Sequence, residues 1–324
     1  MTDAEKQPSI SVVIPAYRRP EQLREAVLSV LDQDLPPSEY ELIVVDSSPD
    51  DSVAQVMNEL QPKASCRLTY RHKEAEGPGP SRNLGVECST APIVAFMDSD
   101  CSATRGWLRA GLGAFHDHIG IVQGPVRPRP EKTVGVFSHS LLVDRETYCY
   151  QTANVFYRRE CFDQVGGFMK NWLGRARRIV GGEDADLAWR VKRKGWNTFF
   201  CNEALVYHDV ITTPIWDWIW IRSMIIVPWL VAKYPEIKPY FYYQFFYDKT
   251  QALFVLGLAG TALAWISRWS LVLWLPYFLH RASQPTRTLR GPLRALRPLF
   301  YCLQDCASFI LLLAGSIRAR TTLL

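Results

Sequence analysis

Ile93-Val94-Ala95-Phe96-Met97-Asp98-Ser99-Asp100 is the stretch whose reading decides the fold. Five apolar residues in a row, rich in β-branched and aromatic side chains, predict a strand buried on both faces. An unpaired buried carboxylate is costly, so a pair that ends such a strand belongs at an open rim or on a metal ion. Residues two apart in an extended segment point the same way, which puts Asp98 and Asp100 on one side. Two hard oxygen ligands there suit Mg²⁺ or Mn²⁺, and through the ion a diphosphate. The plainer alternative is a strand ending in a polar turn, with Asp98 and Ser99 bonding locally.

The same pattern repeats on the N-terminal side. Ile10-Ser11-Val12-Val13-Ile14 reads as a buried strand stopped by Pro15. Pro20 opens a helix with Leu23, Ala26, Val27, Val30 and Leu31 on one face. Leu42-Ile43-Val44-Val45 is a second strand ending on Asp46, followed by a helix with Val53, Val56, Met57 and Leu60 aligned. Residues 67–71 read as a third strand, Gly77-Pro78-Gly79-Pro80 as a loop and residues 81–88 as a short helix. Apolar strands alternating with amphipathic helices predict an α/β domain whose parallel sheet is covered on both faces. Ligands of such sheets bind at the carboxyl ends of the strands. Pro15-Ala16-Tyr17, Asp46 and the Asp98/Asp100 pair converge there. No G-x-G-x-x-G follows the first strand and no G-x-x-x-x-G-K-[ST] occurs, so a glycine cradle for phosphates has no support. A carboxylate-held metal takes its place, with Arg82 in Ser81-Arg82-Asn83-Leu84-Gly85 the best-placed cation to assist at the rim. On its own, Arg82 reads more readily as a solvated helix charge.

At 324 residues the chain has room for one large α/β domain and a further region, and 48% hydrophobic content excludes disorder as its main state. The net charge of +5 is unevenly placed: residues 281–324 hold seven arginines against Asp305 alone, leaving the rest at −1. Nucleic-acid binding by the main domain is therefore not expected. Eight cysteines without a C-x-x-C pair suit a reducing compartment, and the polar start gives no secretory signal.

Val12-Val13-Ile14-Pro15-Ala16-Tyr17, Val44-Val45-Asp46-Ser47-Ser48, Ser81-Arg82-Asn83-Leu84-Gly85 and Phe96-Met97-Asp98-Ser99-Asp100 resemble the successive blocks of the family 2 glycosyltransferases. These are inverting enzymes of GT-A type, with a Rossmann-like, mostly parallel sheet sandwiched by helices. The resemblance implies a nucleoside-diphosphate sugar donor and Mn²⁺ or Mg²⁺. It implies that Ala16, Tyr17 and Asp46, with Pro15, meet the base and ribose. It further implies that Arg82, Asp98 and Glu183 help hold the donor and that Asp100 binds the metal. Ser47 departs from the second Asp often found there.

The resemblance extends through Ala153-Asn154-Val155-Phe156-Tyr157-Arg158-Arg159-Glu160 to Glu183-Asp184, matching an element whose Asp is the catalytic base. Without that context, Glu183, Asp184 and Asp186 read as acids at a helix N-terminus. Asp186 is expected to support local structure, and residues 169–179 to form a mobile loop. Residues 205–209 predict a strand reaching His208, which the resemblance offers as a further metal ligand beside Asp98 and Asp100; a lone His at a strand end is otherwise structural.

Three regions follow from this: a catalytic domain over 1–210, interfacial Trp-rich helices over 211–250 and a membrane region over 251–324. Residues 215–230 are crowded with tryptophan, which suits a helix on the membrane surface or a lid over the site. Arg222 within it could face a diphosphate. Residues 252–279 are apolar except for Ser267-Arg268 and Ser270, giving one tilted span or two helices meeting near Arg268. A soluble helical subdomain is the alternative. The arginine-rich segment 280–297 is expected on the cytoplasmic side, with the catalytic domain, and the acceptor is expected to be a membrane-borne or lipid-linked glycan. Rival readings are a nucleotidyltransferase on a similar sheet and a non-catalytic membrane scaffold.

Overall fold

The computed structural model describes residues 7–134, 138–170, 181–212, 214, 225–284 and 297–324, with 297–300 as backbone only. They fall into two compact units. The first takes in the described residues of 1–132, 140–174 and 183–209, and the second those of 133–139, 175–182 and 210–324.

In the first unit β1 (Ile10–Ala16), α1 (Pro20–Leu31), β2 (Tyr40–Asp46), α2 (Ser52–Leu60), β3 (Arg67–His72), α3 (Pro78–Glu87) and β4 (Ile93–Phe96) alternate as the periodicity predicts. Then come β5 (Cys101–Ala103), α4 (Trp107–Gly113), β6 (Ile119–Gln123) and β7 (Val126–Pro128). After β8 (Ser138–His139), which belongs to the second unit, follow β9 (Val155–Arg158), α5 (Arg159–Gln164), α6 (Glu183–Arg193), β10 (Asn197–Phe200) and β11 (Val206–His208). The main sheet has the order β10-β6-β9-β4-β1-β2-β3. Neighbours from β4 to β3 are parallel, but β9 runs antiparallel to both β4 and β6. The sheet is thus mixed and mostly parallel, not wholly parallel. β9 is mainly apolar and buried like the strands beside it, and its composition carries no mark of its direction.

Side chains alternate between two cores, as a period of two requires. Val12 and Ile14 meet Leu23, Val27, Val53 and Met57 on one face, while Val13 meets Val86, Phe96 and Leu187 on the other. Burying each such side chain contributes about 1.5–3 kcal/mol. Gly85 is the contact point of α3 with β1: a Cβ there would lie 2.3 Å from Val13 Cγ1.

Three local expectations are corrected. Pro15 does not stop β1, because β4 pairs only as far as Val13 and no partner there needs the missing N–H. Pro78, Gly79 and Pro80 form the first turn of α3 instead of a loop, since first-turn N–H groups have no intrahelical partner to lose. The strand at 93–100 ends at Phe96, and Cys101 N–H closes a turn on the Asp98 carbonyl at 3.1 Å. Asp98 and Asp100 therefore do not share one side of an extended segment. They diverge across a turn.

A small second sheet completes this unit, with β11 antiparallel to β5 and parallel to β7. The register sets His208 opposite Cys101, beside Asp100.

The second unit pairs β8 with β12 (Ile211–Thr212) and contains α7 (Val227–Lys233), α8 (Lys249–Leu263), α9 (Leu275–Ser283) and α10 (Arg297–Ala319). A 3₁₀ turn, Arg268–Trp274, joins α8 to α9. Residues 252–279 are thus two helices meeting near Arg268, and α8 at 15 residues is about 22 Å long, short of a bilayer core. Among the described residues one helix, Tyr301–Ala319, is long and apolar enough to cross a membrane. The expected Trp-rich helix lies outside the described residues over 215–224, with Arg222. So do residues 171–179 of the expected loop and 285–296 of the arginine-rich segment.

Candidate active site

At the carboxyl ends of β1, β2 and β4 lies a cleft of about 530 Å³, a size suited to a small ligand. Pro15, Ala16 and Tyr17 form one wall, and Tyr17 is half exposed. Gly77, whose φ of +97° suits only glycine, turns the chain into α3 and brings the positive end of that helix to the opposite wall. Asp46 ends β2 as expected but is fully buried. Its carboxylate accepts hydrogen bonds from Ser48 N–H at 2.8 Å and the Tyr70 hydroxyl at 2.9 Å. The neighbour that lines the cleft is Ser47.

The turn after β4 sends its two acids to different partners. Asp98, on the cleft wall, takes Arg82 Nη2 at 2.7 Å. Asp100 has Arg19 Nη1 at 2.8 Å on Oδ2 and His208 Nε2 at 3.6 Å from Oδ1. Burial raises the Asp100 carboxyl above its usual range, against the pull of His208. His208 Nδ1 lies 2.6 Å from the Asp209 carbonyl oxygen, which can only accept, so Nδ1 carries a proton and Nε2 is the nitrogen turned toward Asp100. A ring fixed through Nδ1 to a carbonyl is the arrangement of metal-ligating histidines. Asp100, Cys101 and His208 form a group compact enough to hold a metal. Mn²⁺ and Mg²⁺ prefer carboxylate oxygen and imidazole to soft thiolate, so Asp100 and His208 are the fitting ligands. Asp98 is committed to Arg82.

Arg82, almost wholly buried, is the hub that joins the acid at the end of β4 to those at the start of α6. Besides Asp98, its Nη1 lies 3.6 Å from Asp184 Oδ1 and 3.8 Å from Glu183 Oε1. Burial works against its charge, but Asp98, Asp184 and Glu183 outweigh that and raise its pKa. Asp184 stands in the first turn of α6, where Thr152 N–H and Oγ1 both donate to Oδ2 at 3.0 Å. Burial pushes the Asp184 carboxyl up to about 7; Arg82 pulls it down and Glu183 pushes it further up. Asp184 Oδ1 and Arg82 Nη1 face one another with no hydrogen-bond partner among the described residues. Asp186 is fully buried and accepts Arg190 Nε at 2.9 Å, a bond within α6.

The fold thus brings Arg82, Asp98, Glu183 and Asp184 into one cluster and Asp100 with His208 into an adjacent one. Two contributors escape the sequence reading. Thr152 immediately precedes the 153–160 block and orients Asp184. Arg19 follows Tyr17 by two residues, and its approach to Asp100 depends on left-handed backbone that no periodicity reports.

Residues 11–170 match the family model described as Glycosyl transferase family 2. The chain is 24% identical over 212 residues to the glycosyltransferase AglE of Haloferax volcanii, covering 62% of this chain and 67% of that protein. It is 29% identical over 279 residues to the pre-mycofactocin glycosyltransferase of Mycobacterium tuberculosis, covering 79% of this chain and 52% of that one. The chain therefore spans about half the length of the mycobacterial relative. The mannosyltransferase PcManGT from Pyrobaculum calidifontis, solved with GDP-Man and Mn²⁺, aligns with a TM-score of 0.58 and 17% identity over 97% of this chain and 87% of that one. Strand order, block order and the match over 11–170 agree: the chain carries a family 2 glycosyltransferase domain on an α/β GT-A fold.

Proposed function

We propose that this protein moves a sugar, with inversion, from a nucleoside-diphosphate donor to an acceptor hydroxyl. The observation that carries the reading is the placement of Asp184 in the first turn of α6, held by Thr152 and set across Arg82 from the donor-side Asp98. Asp100 and His208 would hold Mn²⁺ or Mg²⁺, whose charge would stabilise the departing nucleoside diphosphate. Pro15, Ala16 and Tyr17 supply a wall for the base and ribose. Asp184 takes the proton of the acceptor hydroxyl as its oxygen bonds to the anomeric carbon and the bond to the diphosphate breaks. Arg82 keeps that acid ionisable in a buried site. Incubation with UDP- and GDP-sugars should give slow, metal-dependent release of the nucleoside diphosphate, and NMR should show inverted anomeric configuration in the product. A retained configuration overturns the reading.

The acceptor proposed is membrane-borne, a lipid-linked glycan or glycolipid of an envelope pathway, with the protein on the membrane and its first unit on the cytoplasmic side. Support comes from the inverted polarity of the second unit. On α10 the buried positions include Gln304, Asp305, Ser308, Leu312 and Ser316, while Leu303, Ile310 and Ile317 are exposed in a stripe seven residues apart. Asp305 accepts Arg281 Nε at 2.8 Å and the Tyr277 hydroxyl at 2.7 Å. Ionisable residues paired inward with aliphatic side chains outward is the polarity lipid demands. Trp265 and Trp269 are 85% and 88% exposed, suiting the headgroup region. Replacing Leu303, Ile310 and Ile317 by Ser should lower partition of the full chain into phosphatidylcholine–phosphatidylglycerol vesicles at least tenfold, since each buried aliphatic contributes about 1.5–3 kcal/mol. Unchanged co-sedimentation would refute it.

A further inference from the structure

Arg18 and Arg19 adopt φ of 59° and 58°, two successive non-glycine residues in the left-handed region. Such backbone costs free energy and persists where the surroundings impose it. Arg19 occupies the N-cap of α1, yet its side chain makes no capping bond there. Capping favours Ser, Thr, Asp or Asn, so local helix chemistry does not account for an arginine. The guanidinium instead reaches 81 residues along the sequence to Asp100 Oδ2 at 2.8 Å.

The two ends of that bond differ in freedom. Asp100 is 13% exposed and immediately precedes β5, and His208 belongs to β11 paired with β5, so both are held by the small sheet. Arg19 is 49% exposed, on a long stem at the edge of the cleft. Its guanidinium stands as a cation on the carboxylate that the proposed function assigns to a divalent ion. A guanidinium has donors only and cannot ligate a metal, and like charges beside one carboxylate repel. Arg19 on Oδ2 and a divalent ion between Oδ1 and His208 Nε2 would put two cations on one carboxylate, so each would weaken the hold of the other.

We infer that Arg19 is an exchangeable counter-ion and a positioning residue: it neutralises Asp100 in the donor-free protein and turns to the diphosphate when the metal and nucleotide arrive. This rests on the metal-site reading above. Bidentate geometry suits a guanidinium to carboxylate and phosphate oxygens alike, so the exchange keeps it paired. The consequence is coupling: the ion alone binds weakly because it competes with Arg19, and binds well only with a diphosphate that receives the displaced charge.

The test is Mn²⁺ binding to the full chain, followed by the EPR signal of free Mn²⁺, without nucleotide and with UDP or GDP. Arg19→Gln should bind Mn²⁺ alone at least fivefold more tightly than wild type and the Mn²⁺-dependent nucleoside diphosphate at least fivefold more weakly. Arg19→Lys, which keeps the charge, should bind Mn²⁺ alone as wild type does. A thermal melt checks that the variants are folded. Unchanged or weaker Mn²⁺ binding by Arg19→Gln overturns the inference. Asp100→Asn separates the two ideas. If it loses Mn²⁺ while Arg19→Gln changes nothing, the metal site stands and the exchange falls. If it binds Mn²⁺ as wild type does, the metal-site reading itself falls.

Discussion

Asp184→Asn is expected to keep donor binding and to lose transfer by about 10²–10⁴-fold, the range for removal of a general base. Asparagine is nearly isosteric and keeps an oxygen for the two Thr152 donors at 3.0 Å, so α6 should stay in place. What it loses is the ability to take a proton. In the wild type the sign of the pH dependence follows from the raised carboxyl. The base works only when ionised, so kcat/KM should rise with pH at about tenfold per unit up to about 7 and then level off. In Asp184→Asn that acid limb should vanish from the residual rate. Near-normal transfer by the variant would send the role to another group, with Glu183 and Asp186 the neighbouring acids. Asp186 is the poorer candidate, being fully buried and tied to Arg190.

Much of this was legible in the chain because two periods are hard to counterfeit. Val12, Val13 and Ile14 with Leu42 to Val45 give continuous apolar strands. Leu23, Ala26, Val27 and Val30 give one helix face, and all four are buried in α1. The strand ends alone place Pro15, Ala16 and Tyr17 at the rim. What escaped is what depends on direction or on local backbone. β9 reads as a strand, but nothing in Val155-Phe156-Tyr157-Arg158 says that it runs against β4. β5 and β7 have three residues each, too few to show a period, yet they fix Asp100 and His208. Asp98 and Asp100 read as neighbours only when the strand is extended four residues past its end at Phe96. Once the turn intervenes, one acid serves Arg82 and the other faces Arg19 and His208. In α10 composition shows an apolar helix, whereas the sides taken by Gln304 and Asp305 against Leu303 and Ile310 become visible only in the fold.

Arg82→Gln should alter both stability and the pH profile, because one side chain answers three acids. Its nitrogens lie 2.7 Å from Asp98, 3.6 Å from Asp184 and 3.8 Å from Glu183. Removing one partner of a buried ion pair costs about 3–5 kcal/mol, since the opposite charge is left uncompensated. Arg82 also pulls the Asp184 carboxyl down against burial and Glu183, so without it that carboxyl rises beyond about 7. A charge pair at this distance is worth several kcal/mol at the effective dielectric of a protein, and about 1.4 kcal/mol corresponds to one pH unit. The acid limb of kcat/KM should therefore move up by at least about one unit. Stability should move with it. A carboxyl whose folded pKa lies above its unfolded value keeps its contribution at low pH and loses it as pH rises through the folded pKa. The deficit of Arg82→Gln against wild type should accordingly be smaller at pH 5 than at pH 8. Urea unfolding at those two values, with a pH–rate profile, tests both halves. An unmoved acid limb would detach Asp184 from Arg82, and equal deficits at the two pH values would mean that the acids around Arg82 are not ionised together.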